Sequence, residues 1–182
     1  PSFKTVKVNK KQIAAANAVL KASNECAEAV VEPDHAFIVN QGTNSEQAFF
    51  PASSYNRVCL VYRKGAGPLG AYLSESEPPT CRGCSMESLI AISFPDLNGD
   101  GRRDVTLAGA GTIGWDPQGD GAMGGHMFFA WTMPKNGPVS VDYDRVDKAA
   151  YSGTDMSISL KSFNTKLTAL VPTVSAAPPA AA

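Results

Sequence analysis

Histidine is scarce in this chain: His35 and His126 are the two imidazoles among 182 residues. Imidazole general-base chemistry is therefore confined to two positions, and no G-x-S-x-G elbow supplies a serine nucleophile. Charge is sparse as well. Asp, Glu, Lys and Arg together make up 18% of the residues, against about 25% in an average globular chain. The formal net charge of −1 offers no basic face for nucleic acid or an anionic membrane surface. No apolar run approaches the roughly 18 residues of a membrane-spanning helix. Neither an initiator Met nor a signal-peptide pattern opens the chain, so the expectation for Pro1 is a trimmed start with an export signal removed.

Turn-forming residues, by contrast, are plentiful, with 16 glycines and 13 prolines. The length suits one globular domain over 1–172, followed by an Ala/Pro-rich flexible tail over 173–182. Ile13, Ala16, Leu20, Ala27 and Val31 lie close to a 3.6-residue period, which predicts a helix over 10–31. Asn9 and Gln12 form a capping-box pattern at its start, and Pro33 limits its continuation. From residue 35 onward, short apolar runs such as "RVCLVYR", "SLIAISF" and "HMFFAWTM" alternate with turn residues, predicting six or seven antiparallel strands. Met156, Leu160, Phe163, Leu167 and Leu170 make a second helical stripe over 155–170, although Met156, Ile158 and Leu160 also alternate as a strand would. The fold expected is α+β: an N-terminal helix packed on one antiparallel sheet, a C-terminal helix, and Gly-rich loops.

Four cysteines, Cys26, Cys59, Cys81 and Cys84, permit three complete pairings. Two disulfides in an exported protein is the leading reading. "CRGC", residues 81–84, follows a Pro-rich stretch in place of the strand that a dithiol catalyst needs before its helix. A Cys₄ zinc site lacks its second C-x-x-C.

The distinctive chemistry lies in "FPDLNGDGRRDVTLAG". Asp96, Asn98, Asp100 and Asp104 occupy positions 1, 3, 5 and 9 of a calcium loop, with Gly101 at the sharp turn of position 6. The Arg102 carbonyl at position 7 is a further oxygen donor. Hard oxygens of this kind suit Ca²⁺. Position 12 is Leu107, where a helix-loop-helix site carries its bidentate Glu, and both flanks read as strands. Over residues 94–109 the segment resembles the calcium loop of FG-GAP/VCBS-type repeats, the blades of integrin-α-like propellers. That resemblance implies a structural Ca²⁺ with Asp96, Asn98, Asp100 and Asp104 as ligands, in exported proteins that act by adhesion or ligand binding. The chain carries one copy, so the propeller architecture does not transfer.

"GAGTIG", residues 109–114, spells G-x-G-x-x-G, but no helix can start in the Gly-rich stretch after it to face a pyrophosphate. The run 109–125 reads instead as a long loop carrying Trp115, Asp116 and Asp120 and ending at His126. These four are candidate partner contacts, and Asp116 or Asp120 is a candidate for the carboxylate that position 12 lacks. The function expected is an exported, periplasmic or extracellular, calcium-stabilised, non-catalytic binding protein. Its partner would be another protein, as for an inhibitor or immunity-type protein. The alternatives are an adhesion or surface-binding module, and an exported hydrolase using carboxylates or His126 near the Gly-rich run.

Overall fold

A computed structural model describes residues 2–42, 46–54, 57–74, 85–115, 122–134, 136–141, 160–162, 164–165 and 167–169, with side chains omitted at 85–87, 111–115 and 122–127. Cys81, Cys84, Asp116, Asp120 and the tail 173–182 lie outside the described residues, as do the side chains of Trp115 and His126. The chain is mostly β. In order it forms β1 (Lys4–Lys7), α1 (Lys10–Lys21), β2 (Val30–Val31), a 3₁₀ turn (Pro33–His35), β3 (Phe37–Asn40), β4 (Glu46–Ser53), β5 (Val58–Lys64), β6 (Gly70–Leu73), β7 (Ser85–Ser93), β8 (Val105–Trp115), β9 (Ala122–Thr132) and β10 (Val139–Ser140).

The strands build two antiparallel sheets. Sheet A runs β1-β3-β4-β5-β6, with β2 also pairing β4; sheet B runs β10-β9-β8-β7. This corrects the α+β expectation of an N-terminal helix packed on one antiparallel sheet of six or seven strands with a C-terminal helix over 155–170. The physical reason lies in the apolar runs. In β5, Val58, Leu60 and Tyr62 face one way and Cys59 and Val61 the other, and all five are buried. Both faces of such a strand need cover. Val58, Leu60 and Tyr62 pack with Phe49 against Leu107, Phe129 and Trp131 of sheet B, while Cys59 and Val61 pack with Phe50 under Ala16 and Leu20 of α1. Sheet B repeats the pattern: Ala108, Phe128 and Ala130 turn outward and meet Leu160 and Leu167. The described positions between 160 and 169 are helical, a short stretch on the outer face of sheet B.

Helix α1 stops at Lys21, well short of the predicted 31. Ser23 and Asn24 begin a turn, and the Ser23 amide donates back to the Leu20 carbonyl at 3.0 Å. Val31, periodic with the helix in sequence, belongs to β2, where its amide donates to Asn17 Oδ1 at 2.9 Å. The N-terminus forms as its pattern predicts. Asn9 Oδ1 accepts from the Gln12 amide at 2.9 Å, and Gln12 Oε1 accepts from the Asn9 amide at 2.8 Å. Asn9→Ala removes a cap and should lower stability by about 1 kcal/mol, read as a lower urea midpoint with an unchanged slope.

The Gly-rich run 109–125 is also corrected. Residues 109–115 belong to β8 and 122–125 to β9, paired as Gly109↔Met127, Gly111↔Gly125, Thr112↔Gly124 and Trp115↔Ala122. Glycines that read as loop in sequence sit in strands here. Extended backbone in "GAGTIG" also removes any helix N-terminus for a nucleotide. No helix among the described residues is long and apolar enough to cross a membrane.

Candidate functional site

Residues 94–104 connect β7 to β8, and the sheet anchors both ends of the connection. Phe94 is buried between the sheets with its ring 5.0 Å from Phe49, and Phe3 and Phe37 meet it edge-on at 6.3 and 6.1 Å. Leu97 is buried on the opposite, outer face of sheet B with Phe128 and Leu167. Two apolar side chains three residues apart thus pin the segment on both sides of its sheet. Between Leu97 and Asp104 the chain is exposed or half-buried and curls tightly, with Gly99 at φ +72 and Gly101 at φ +84. That left-handed region suits residues without a Cβ.

The curl draws the polar side chains onto its own backbone. Asp96 Oδ2 accepts from the Gly101 amide at 2.8 Å and Asp96 Oδ1 from the Asp100 amide at 3.2 Å. Asn98 Oδ1 also accepts from Asp100, at 3.3 Å, and Asp100 Oδ1 accepts from the Arg102 amide at 2.8 Å. Asp96, Asn98 and Asp100 therefore share one small loop.

Asp104 behaves differently. It is fully buried, and its Oδ2 accepts from the Leu97 amide at 2.7 Å while its Oδ1 accepts from the Met133 amide at 2.9 Å. Met133 follows β9, so this one carboxylate joins the loop to the far end of the neighbouring strand. Burial pushes Asp104 up from the usual 3.8 to about 7, against the two amide hydrogen bonds, and the Asp100 and Asp96 charges push the same way. Among the described residues, no three of His, Cys, Asp and Glu stand together as a metal-holding group. The inward turn of Asp104 sets it apart from the other two aspartates.

Sheet A also grips the loop, through residues that the sequence reading did not single out. Gln41 Nε2 donates to the Gly101 carbonyl at 3.1 Å, and Gln47 Nε2 donates to the Arg103 carbonyl and to Tyr62 Oη, both at 3.0 Å. Gln47 is nearly fully buried at the start of the apolar run Ala48–Ala52. A buried amide needs partners, and that requirement is the sequence signal that could have marked it. Arg103 donates to the Phe94 carbonyl at 3.2 Å and lies 5.0 Å from the centre of the Phe3 ring.

The other candidates are not brought to this loop. Cys26 and Cys59 form a disulfide, tying the turn after α1 to β5. His35 sits in the 3₁₀ turn, where its Nε2 donates to the Leu89 carbonyl at 3.0 Å and ties that turn to β7 of sheet B. Trp115 and His126 lie in β8 and β9, their side chains outside the described set. A separate open cavity of about 320 Å³ lies beside the disulfide, lined in part by Glu25, Glu28 and Arg57. No family model, no curated protein and no solved structure matches the chain. What the chain does must be argued from its own geometry.

Proposed function

We propose that this is an exported, non-catalytic binding protein in which loop 94–104 takes up Ca²⁺ as a structural ion. The observation that carries the reading is the gathering of the Asp96, Asn98 and Asp100 side-chain oxygens onto the backbone amides of one glycine-permitted curl. A carboxylate oxygen that accepts one N–H keeps a second lone pair, so these contacts leave room for a hard cation. Asp96, Asn98, Asp100 and the Arg102 carbonyl are the donors nearest to hand. Asp104 would join them through lone pairs not used by Leu97 and Met133. The Cys26–Cys59 disulfide suits an oxidising compartment, where free Ca²⁺ is high enough to fill a weak site.

The non-catalytic part rests on how the described titratable groups are engaged. Asp104 holds two backbone amides and His35 holds a carbonyl, so both serve the framework. The partner on this reading is another protein, as an inhibitor or immunity-type role would require. Without a carboxylate at position 12 the affinity should be modest, about 10⁻⁴ to 10⁻³ M. With Ca²⁺ in about tenfold excess over that constant, native-state binding should add about 1.4 kcal/mol. A melt with Ca²⁺ against EDTA measures this, and Asp100→Asn should abolish the rise. An unchanged midpoint in the parent protein over millimolar additions would sink the calcium reading.

A further inference from the structure

The geometry points to Asn98 as a site of spontaneous backbone modification, by deamidation through a succinimide at the Asn98–Gly99 bond. The sequence contains two Asn-Gly pairs, Asn98–Gly99 and Asn136–Gly137. In each, the following glycine leaves the backbone nitrogen unhindered. Exposure does not separate them, because Asn98 and Asn136 are both exposed. The state of the glycine amide does. Gly137 N–H donates to the Pro134 carbonyl at 3.0 Å, so the attacking atom of that pair is engaged. Gly99 N–H donates to no acceptor among the described residues.

Two further features favour the reaction at Asn98. A Cβ built on Gly99 would meet nothing within 4 Å, so the space beside Gly99 is open. The Asp100 amide donates to Asn98 Oδ1 at 3.3 Å, which places a donor on the oxygen that gains negative charge as the ring closes. The neighbouring Asp100–Gly101 pair is a slower competitor, since Gly101 N–H is held by Asp96 Oδ2 at 2.8 Å.

The step balances without any outside oxidant or cofactor. Base removes the Gly99 amide proton, and that nitrogen attacks Asn98 Cγ. The new C–N bond forms, the departing side-chain nitrogen takes a proton from water or the protonated base as its bond to Cγ breaks, and ammonia leaves. Water then opens the five-membered ring at either carbonyl. One opening gives aspartate at position 98; the other gives isoaspartate, in which the main chain runs through the former side chain. Either product adds a negative charge beside Asp96 and Asp100, and the second lengthens the backbone inside a tight curl. The inference concerns the cation-free loop and is tested in EDTA, since a cation on Asn98 Oδ1 would hold the side chain and slow the reaction.

The test is prolonged incubation of the full, disulfide-intact chain in mildly alkaline buffer containing EDTA, followed by peptide mapping of both Asn-Gly pairs by mass spectrometry. A parallel sample in urea sets the intrinsic rates. The expected result is that Asn98 converts several-fold faster than Asn136 in the folded protein, with the ratio shrinking in urea. A folded-state ratio no greater than the urea ratio would overturn the assignment. Asn98→Gln, which keeps the amide but closes a less favourable ring, should remove the acidic variant from ion-exchange profiles. Its persistence at full intensity would also count against Asn98.

Discussion

Removing the Cys26–Cys59 bond with the paired substitutions Cys26→Ala and Cys59→Ala is expected to lower stability by about 3–4 kcal/mol. The bond spans 33 residues of sequence, a loop that contains β2, β3 and β4. Closing a loop of that length removes much of the freedom of the unfolded chain, and the logarithmic dependence on length gives the figure. Both sulfurs are buried beneath α1 with Phe50 and Val61, so the variant also loses packing at the helix–sheet contact. Alanine avoids placing a hydroxyl in that apolar site. A guanidinium titration would show the lowered midpoint together with a steeper slope, since the unfolded chain can now expand. A loss below about 1 kcal/mol would mean that native contacts alone hold the turn after α1 against β5. Since whole domains are stable by only about 5–15 kcal/mol, a loss of the expected size would make this bond a large share of the total stability.

The elements legible in the sequence are those whose signal is local. Asn9 and Gln12 announce the start of α1 because both hydrogen bonds are made within one turn. "RVCLVYR" announces β5 because apolar, β-favouring residues run without interruption. The two-sheet arrangement is not legible for the same reason: a run buried on both faces does not say what covers each face. Strand β4 is hidden by Pro51, which argues against a central strand. The structure resolves the conflict locally. The Pro51 carbonyl accepts from the Glu32 amide, so its backbone polar groups face the side where β4 changes partner. β3 pairs with Phe49 and the residues before it, β2 pairs with Ala52 and Ser53, and the missing N–H falls between them. Exposed β1, "KTVK", carries no apolar alternation to detect.

Legibility within the loop divides in the same way. The curl of 96–102 follows from spacing and two glycines, all within seven residues. The inward turn of Asp104 depends on the Met133 amide, 29 residues further along the chain. No spacing rule reaches that far. Gln47 belongs to the same class, because its partner carbonyl at Arg103 is 56 residues away.

Asp104 should therefore control both the stability of the protein and its dependence on pH. Asp104→Ala orphans the buried Leu97 and Met133 amides and is expected to lower stability by about 2–4 kcal/mol in mildly acidic buffer. Asp104→Asn keeps one acceptor but turns an NH₂ toward the other amide, so it should fall between the two. The pH profile separates charge from shape. Burial raises the Asp104 carboxyl to about 7 in the folded protein, from 3.8 when exposed. As pH rises between those values, the unfolded chain has already released the proton that the folded chain still holds. Unfolding then releases a proton, and stability falls with rising pH. The contribution is complete below the lower value and gone above the upper, a change on the order of a few kcal/mol. Chemical melts across that window should show the decline in the parent protein and a flat profile in Asp104→Asn. A flat parent profile, or a slope that survives in the Asn variant, would place the proton elsewhere. A cation in the loop, as proposed, favours the ionised carboxylate, so millimolar Ca²⁺ should flatten the parent slope and leave that of the Asn variant unchanged.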